Sequence, residues 1–83
     1  MRIYMQTPVH NDRPPRFYQL FVQKDLIGGW TLVKEWGAQG SPGRVVREHF
    51  DRREHAEQAL LRTRDAQLQK GYRVMFTKGQ ERP

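Results

Sequence analysis

The chain has no cysteine, which removes disulfides and thiolate metal sites together and leads us to expect a reducing, cytoplasmic setting. No apolar run exceeds three residues, as in Leu20-Phe21-Val22, so neither a signal-peptide core nor a membrane span is expected. Serine occurs once, at Ser41 ahead of Pro42, and no His/Asp spacing accompanies it that would suggest a triad. His10, His49 and His55 lack metal-ligand spacing. Eighty-three residues make one small domain, with room for a sheet and a covering helix but little for a deep substrate cavity. No catalytic residue, metal or cofactor is expected.

Lysine is also scarce. Four lysines stand among fifteen basic residues, the rest being arginine, and the net charge is +6 with a pI near 10.3. Guanidinium forks match phosphate oxygens in pairs, whereas an ammonium acts as a point charge. A polyanionic partner follows, nucleic acid before membrane, because no basic amphipathic helix with a bulky apolar face is present.

The pattern along the chain reads as α+β. Ile3-Tyr4-Met5 is a short strand or part of an N-terminal arm over residues 1–15, and Thr7 to Pro15 is a loop. Phe17 to Gln23 alternates, with Tyr18, Leu20 and Val22 on one face and Phe17 and Phe21 on the other. Gly28-Gly29 suits a hairpin turn, and Trp30 to Trp36 returns as the next strand. Arg44 to Phe50 is another strand. Asp51 and Glu54 have capping-box spacing for a helix whose small face is Ala56, Ala59, Leu60, Thr63 and Ala66. Gly71 stops the helix after Lys70, Tyr72 to Phe76 is a last strand, and residues 77–83 form a polar tail. The expected architecture is a small antiparallel sheet of about four to five strands with one α-helix on one face.

Function concentrates between Trp30 and Arg44. A strand ending on Trp36 enters a loop with glycine at 37, 40 and 43, then a basic strand. An aromatic ring beside open N–H groups and arginines suits a sugar-phosphate surface. Trp36 shares strand parity with Trp30 and Leu32, so completing the core and stacking on a ligand are both open to it. The three glycines could cradle a phosphate or supply positive φ in an ordinary turn. Arg44 and Arg47 flank the loop, Lys34 lies across from them, and Arg13 and Arg16 could add a basic arm. Tyr72 could bond a phosphate or sit in the core.

These residues resemble the WGR domain. The likeness runs through Phe17-Tyr18-Gln19-Leu20, Trp30-x-Leu32-Val33-x-Glu35-Trp36-Gly37, Gly40-Ser41-Pro42-Gly43, Phe50, Ala56 with Leu60, and Gly71-Tyr72, from about Arg16 to Tyr72 within an expected domain over residues 16–76, and is closest to short free-standing bacterial members. The resemblance implies a binding module like those beside poly(ADP-ribose) polymerase catalytic regions, which bind DNA near strand ends, the signature tryptophan packing on the backbone. The signature arginine, which bridges to neighbouring domains, is Ala38 here, and Gln39 replaces a usual apolar residue. The resulting expectation is a non-catalytic, sequence-independent DNA-binding module, DNA rather than RNA, working through Trp36, Gly37, Gly40, Gly43, Arg44, Arg47, Lys34 and Tyr72 as a monomer or weak dimer. Five phosphates engaged would give a log K against log salt slope of about −4.5. The alternative is a protein-interaction adaptor that keeps the fold, has lost DNA-end contacts and docks an acidic partner.

Overall fold

The computed structural model of the chain describes residues 1–9 and 12–79. His10 and the last four residues of the expected tail lie outside the described residues. Five strands and a helix follow in order: β1 (Arg2–Gln6), β2 (Arg16–Lys24), β3 (Trp30–Ala38), β4 (Arg44–Phe50), α1 (Arg53–Gln69) and β5 (Arg73–Lys78). The strands form one sheet in the order β4-β3-β2-β1-β5, antiparallel throughout. β1 is therefore an interior strand, with Ile3 and Met5 fully buried, and β5 runs two residues into the expected tail.

Strand alternation assigns each side chain to one of two faces. The register pairs Tyr18 with Trp36, Leu20 with Lys34 and Val22 with Leu32, and on β4 it pairs Arg44 with Trp36 and Phe50 with Trp30. These side chains share the face that α1 covers, where Ile3, Met5, Tyr18, Leu20 and Leu32 pack against Ala59, Leu60 and Tyr72. Fully burying side chains such as Leu20, Leu32 and Leu60 stabilises the fold by roughly 1.5–3 kcal/mol each. The other face carries Arg2, Tyr4, Gln6, Phe17, Gln19, Phe21, Val33, Arg47 and Phe76, and no helix among the described residues lies over it.

The helix begins one residue later than its sequence suggests. Arg52 is the N-cap and makes no side-chain cap bond, while the Asp51 carboxylate instead meets His49 Nε2 at 3.3 Å. Among the expected small face, Ala56, Ala59 and Leu60 are buried but Ala66 is exposed; Gln67 takes the inward place. The C-terminus is a Schellman turn. The Tyr72 N–H donates to the Gln67 carbonyl (3.1 Å) and the Gly71 N–H to that of Leu68 (3.1 Å), with Gly71 at φ +99°. This turn folds Tyr72 back beneath the sheet edge.

Candidate nucleic-acid interface

Trp36 stands near the end of β3, on the helix-covered face. Its indole stacks on Tyr18, the cross-strand partner, with centroids 5.3 Å apart and planes within 9°. Tyr72 meets Tyr18 edge-on at 5.7 Å. Trp36 packs against the core, as its strand parity suggests, and remains half-buried at its margin. Burial, with Tyr72 and Glu48 adding to it, raises the Tyr18 hydroxyl above its ordinary pKa of 10.0, so it stays a neutral donor.

These three rings open onto a shallow cavity of about 420 Å³ completed by Thr7, Arg16, Gln67 and Lys70. Sequence reasoning missed Gln67, Lys70 and Tyr18. The available signal was the helix stop itself, because a Schellman turn returns the residue after the glycine to the last helical turn. A helix C-terminus repels phosphate, but here its last carbonyls at Gln67 and Leu68 are already bonded and Lys70 supplies charge.

The expected basic patch divides. Arg44 is the cross-strand partner of Trp36 and shares its face, whereas Arg47 pairs with Val33 and belongs to the opposite face. Residues three apart on a strand cannot share a face. Lys34 keeps the Trp36 face but its Nζ is held by Glu48 at 2.7 Å, leaving a neutral pair. Arg16, Arg44 and Lys70 have no ion-pair partner among the described residues. Arg16 also stands directly across from Ala38, and the two line a second recess with Thr7, Arg13 and Pro14.

The loop glycines have different reasons. Only Gly40 has positive φ, at +81°. A Cβ on Gly43 would lie 2.7 Å from the Trp36 carbonyl oxygen and 3.0 Å from Phe17 Cζ, and one on Gly37 would lie 3.1 Å from Gly43 Cα. Close approach of β3, β4 and the Phe17 ring therefore excludes a side chain at 43 and crowds one at 37, so the positive-φ reading holds for Gly40 and not for Gly37 or Gly43. Ser41 N–H donates to the Ala38 carbonyl (3.1 Å), closing the turn, and Gln39 reaches past β2 to donate from Nε2 to the Tyr4 hydroxyl of β1 at 2.9 Å.

At the other end of β3 the chemistry is different. Asp25 Oδ1 accepts from the Gly29 and Ile27 N–H groups at 2.8 and 3.1 Å, and Oδ2 lies 2.7 Å from His49 Nδ1. Partial removal of Asp25 from water opposes ionisation, but the Gly29, His49 and Ile27 bonds outweigh it and hold its pKa below the ordinary 3.8. The bond to Asp25 raises His49 above 6.5 against its own desolvation, with Asp51 assisting. Three acidic or imidazole groups meet here, yet no cluster among the described residues has metal-binding geometry. The arrangement ties a turn. No helix among the described residues is long and apolar enough to cross a membrane.

Comparison with known proteins identifies a family. The pattern of the WGR domain matches residues 1–79. Uncharacterized protein y4dW of Sinorhizobium fredii (strain NBRC 101917 / NGR234) is 26% identical over 72 residues, covering 87% of this chain and 35% of that protein. The chain thus spans about a third of that relative's length. No solved structure matches at a significant level.

Proposed function

The chain belongs to the WGR domain family, a family of nucleic-acid-binding modules rather than catalysts, and from that premise we propose that it is a sequence-independent DNA-binding module for duplex ends or nicks. The observation carrying this reading is the Trp36 indole, backed by Tyr18, at the mouth of a recess bordered by Arg16 and Lys70 with Arg44 across the strand. A terminal sugar would pack on the indole, and the guanidinium and ammonium groups would take the adjacent phosphates. Such contacts position the module without reading sequence. Tyr18 fixes the ring before binding, which lowers the ordering cost. A break exposes the terminal sugar and lets it enter the recess, where an unbroken backbone passes over it.

Arg16, the cross-strand neighbour of Ala38, supplies the phosphate fork that position 38 lacks. The interdomain bridge of the signature arginine has no counterpart at Ala38. With Lys34 neutralised by Glu48 and Arg47 on the far face, about three cations address the phosphates, so the salt slope should be about −2.7 instead of −4.5.

Fluorescence anisotropy against blunt, nicked and covalently closed duplexes across a salt series tests the reading. Tighter binding to ends or nicks is expected, lost in a Trp36→Ala variant that circular dichroism shows to be folded, and Arg16→Ala should flatten the slope by about 0.9. Binding indifferent to breaks and to Trp36 would overturn it. A second reading, an adaptor for an acidic protein, draws on Ala38 and on Gln39, whose amide is engaged with Tyr4 inside the fold. It expects Trp36→Ala to lower stability with no effect on DNA binding, and a discrete protein partner that survives nuclease treatment.

A further inference from the structure

The sheet face away from the helix has a chemistry of its own. Phe76 on β5, Tyr4 on β1 and Phe17 on β2 form a ladder across three adjacent strands, with centroids 5.9 and 6.5 Å apart and planes parallel within 14°. The Tyr4 hydroxyl is fixed by amide donors from Gln6 (3.2 Å) and Gln39 (2.9 Å). Phe17 is seated over Gly37 and Gly43, whose missing side chains make room for its ring. Phe21, the fourth ring, lies under the Arg2 guanidinium at 4.4 Å. Phe76, at the sheet edge, is 50% exposed.

Along β2 this face reads Phe17, Gln19, Phe21, Gln23: ring and amide in alternation. An aliphatic patch would suit a protein helix. Rings interleaved with amides suit flat heterocycles that offer both a π surface and hydrogen-bonding edges. The charge at the rim, Arg2, Arg47 and Arg73, opposes the phosphates such heterocycles carry. The strand from Phe17 to Phe21 spans roughly 13 Å, enough for two or three bases stacked on a sheet.

From this we infer that the open face is a second site, for unpaired bases of a single-stranded nucleic acid, separate from the Trp36 recess. Bases stack on Phe76, Tyr4 and Phe17, the glutamines meet their edges, and the arginines follow the backbone. The site does not depend on duplex-end binding by the other face.

Labelled oligothymidylate, and an abasic oligomer of equal length and charge, titrated by anisotropy into the full chain test this. Wild type should bind oligothymidylate at least about fivefold more tightly than the abasic strand. Phe76→Ala should lose a similar factor, Phe76→Tyr should restore it, and Trp36→Ala should leave it unchanged. Phe76→Ala should leave duplex affinity intact, so this site and the Trp36 recess fail independently. Equal binding of abasic and base-bearing strands, or loss through Trp36 alone, would overturn the inference. So would a concentration-dependent dimer in sedimentation that Phe76→Ala dissolves and oligothymidylate does not.

Discussion

The two faces of the sheet use aromatic rings to opposite ends. Beneath the helix, Tyr18 meets Trp36 face to face and Tyr72 edge-on, so mixed angles close the rings into a margin of the core. On the open face Phe76, Tyr4 and Phe17 keep nearly parallel planes, and the outermost ring is half exposed among the described residues. The mixed set ties Tyr18 and Tyr72 into the core and leaves Trp36 half-buried at its margin; the ladder leaves Phe76 half exposed at the sheet edge. Ring content alone does not distinguish the two faces, while ring geometry and cover do.

The comparison breaks most severely at Leu60, wholly buried against the helix-covered face. Leu60→Ala should cost about 3 kcal/mol in denaturant unfolding and weaken ligand binding on both faces only in proportion to the unfolded fraction. Gly43→Ala comes next, at about 2 kcal/mol, because its Cβ would press on backbone at Trp36 and on the Phe17 ring at once. It sharpens the comparison by disturbing the open face and the Trp36 strand end with one methyl, and both single-strand and duplex binding should weaken. Phe76→Ala should change unfolding free energy by less than about 1 kcal/mol, since the ring is half exposed on an edge strand.

The smallest effect is at the Asp25–His49 tie, at the end of β3 away from Trp36. Asp25 titrates lower in the folded chain, so its contribution is present above about pH 4 and fades as pH falls through the folded value. His49 titrates higher, so its contribution is whole below 6.5 and disappears as pH rises through the folded value. Stability from this pair should peak in mildly acidic solution and decline above neutrality. NMR titration should put His49 above 6.5, and His49→Gln should flatten the alkaline decline seen in thermal melts.

Much of this arrangement is legible in the sequence through period and punctuation. Alternation in β2 separates Tyr18, Leu20 and Val22 from Phe17 and Phe21, parity joins Trp36 to Leu32, and Gly71 ends the helix. Parity also separates Arg44 from Arg47, yet proximity in sequence invites their reading as one patch. What period cannot reveal is register. Arg16 faces Ala38, and Lys34 reaches Glu48, only because the 25–29 turn fixes how β2 and β3 align and the 39–43 turn fixes β4. The Gln39–Tyr4 bond, the seat of Phe17 over two glycines and the ladder itself join residues distant in the chain, where local patterns carry no signal.

The sheet order has a kinetic consequence. β2, β3 and β4 are a meander closed by short turns, but β1 and β5 pair Arg2 with Lys78 and must close nearly the whole chain. That closure is the slowest to gain and β5, exposed along its length, returns little burial for it, so β5 docks last and lets go first. Hydrogen exchange should find the β5 amides among the fastest of the ordered strands. The outermost ring of the open face thus rides on the strand with the shortest residence time, and a ligand gripping Phe76 would act as a latch, slowing release of β5 and with it the opening of the domain.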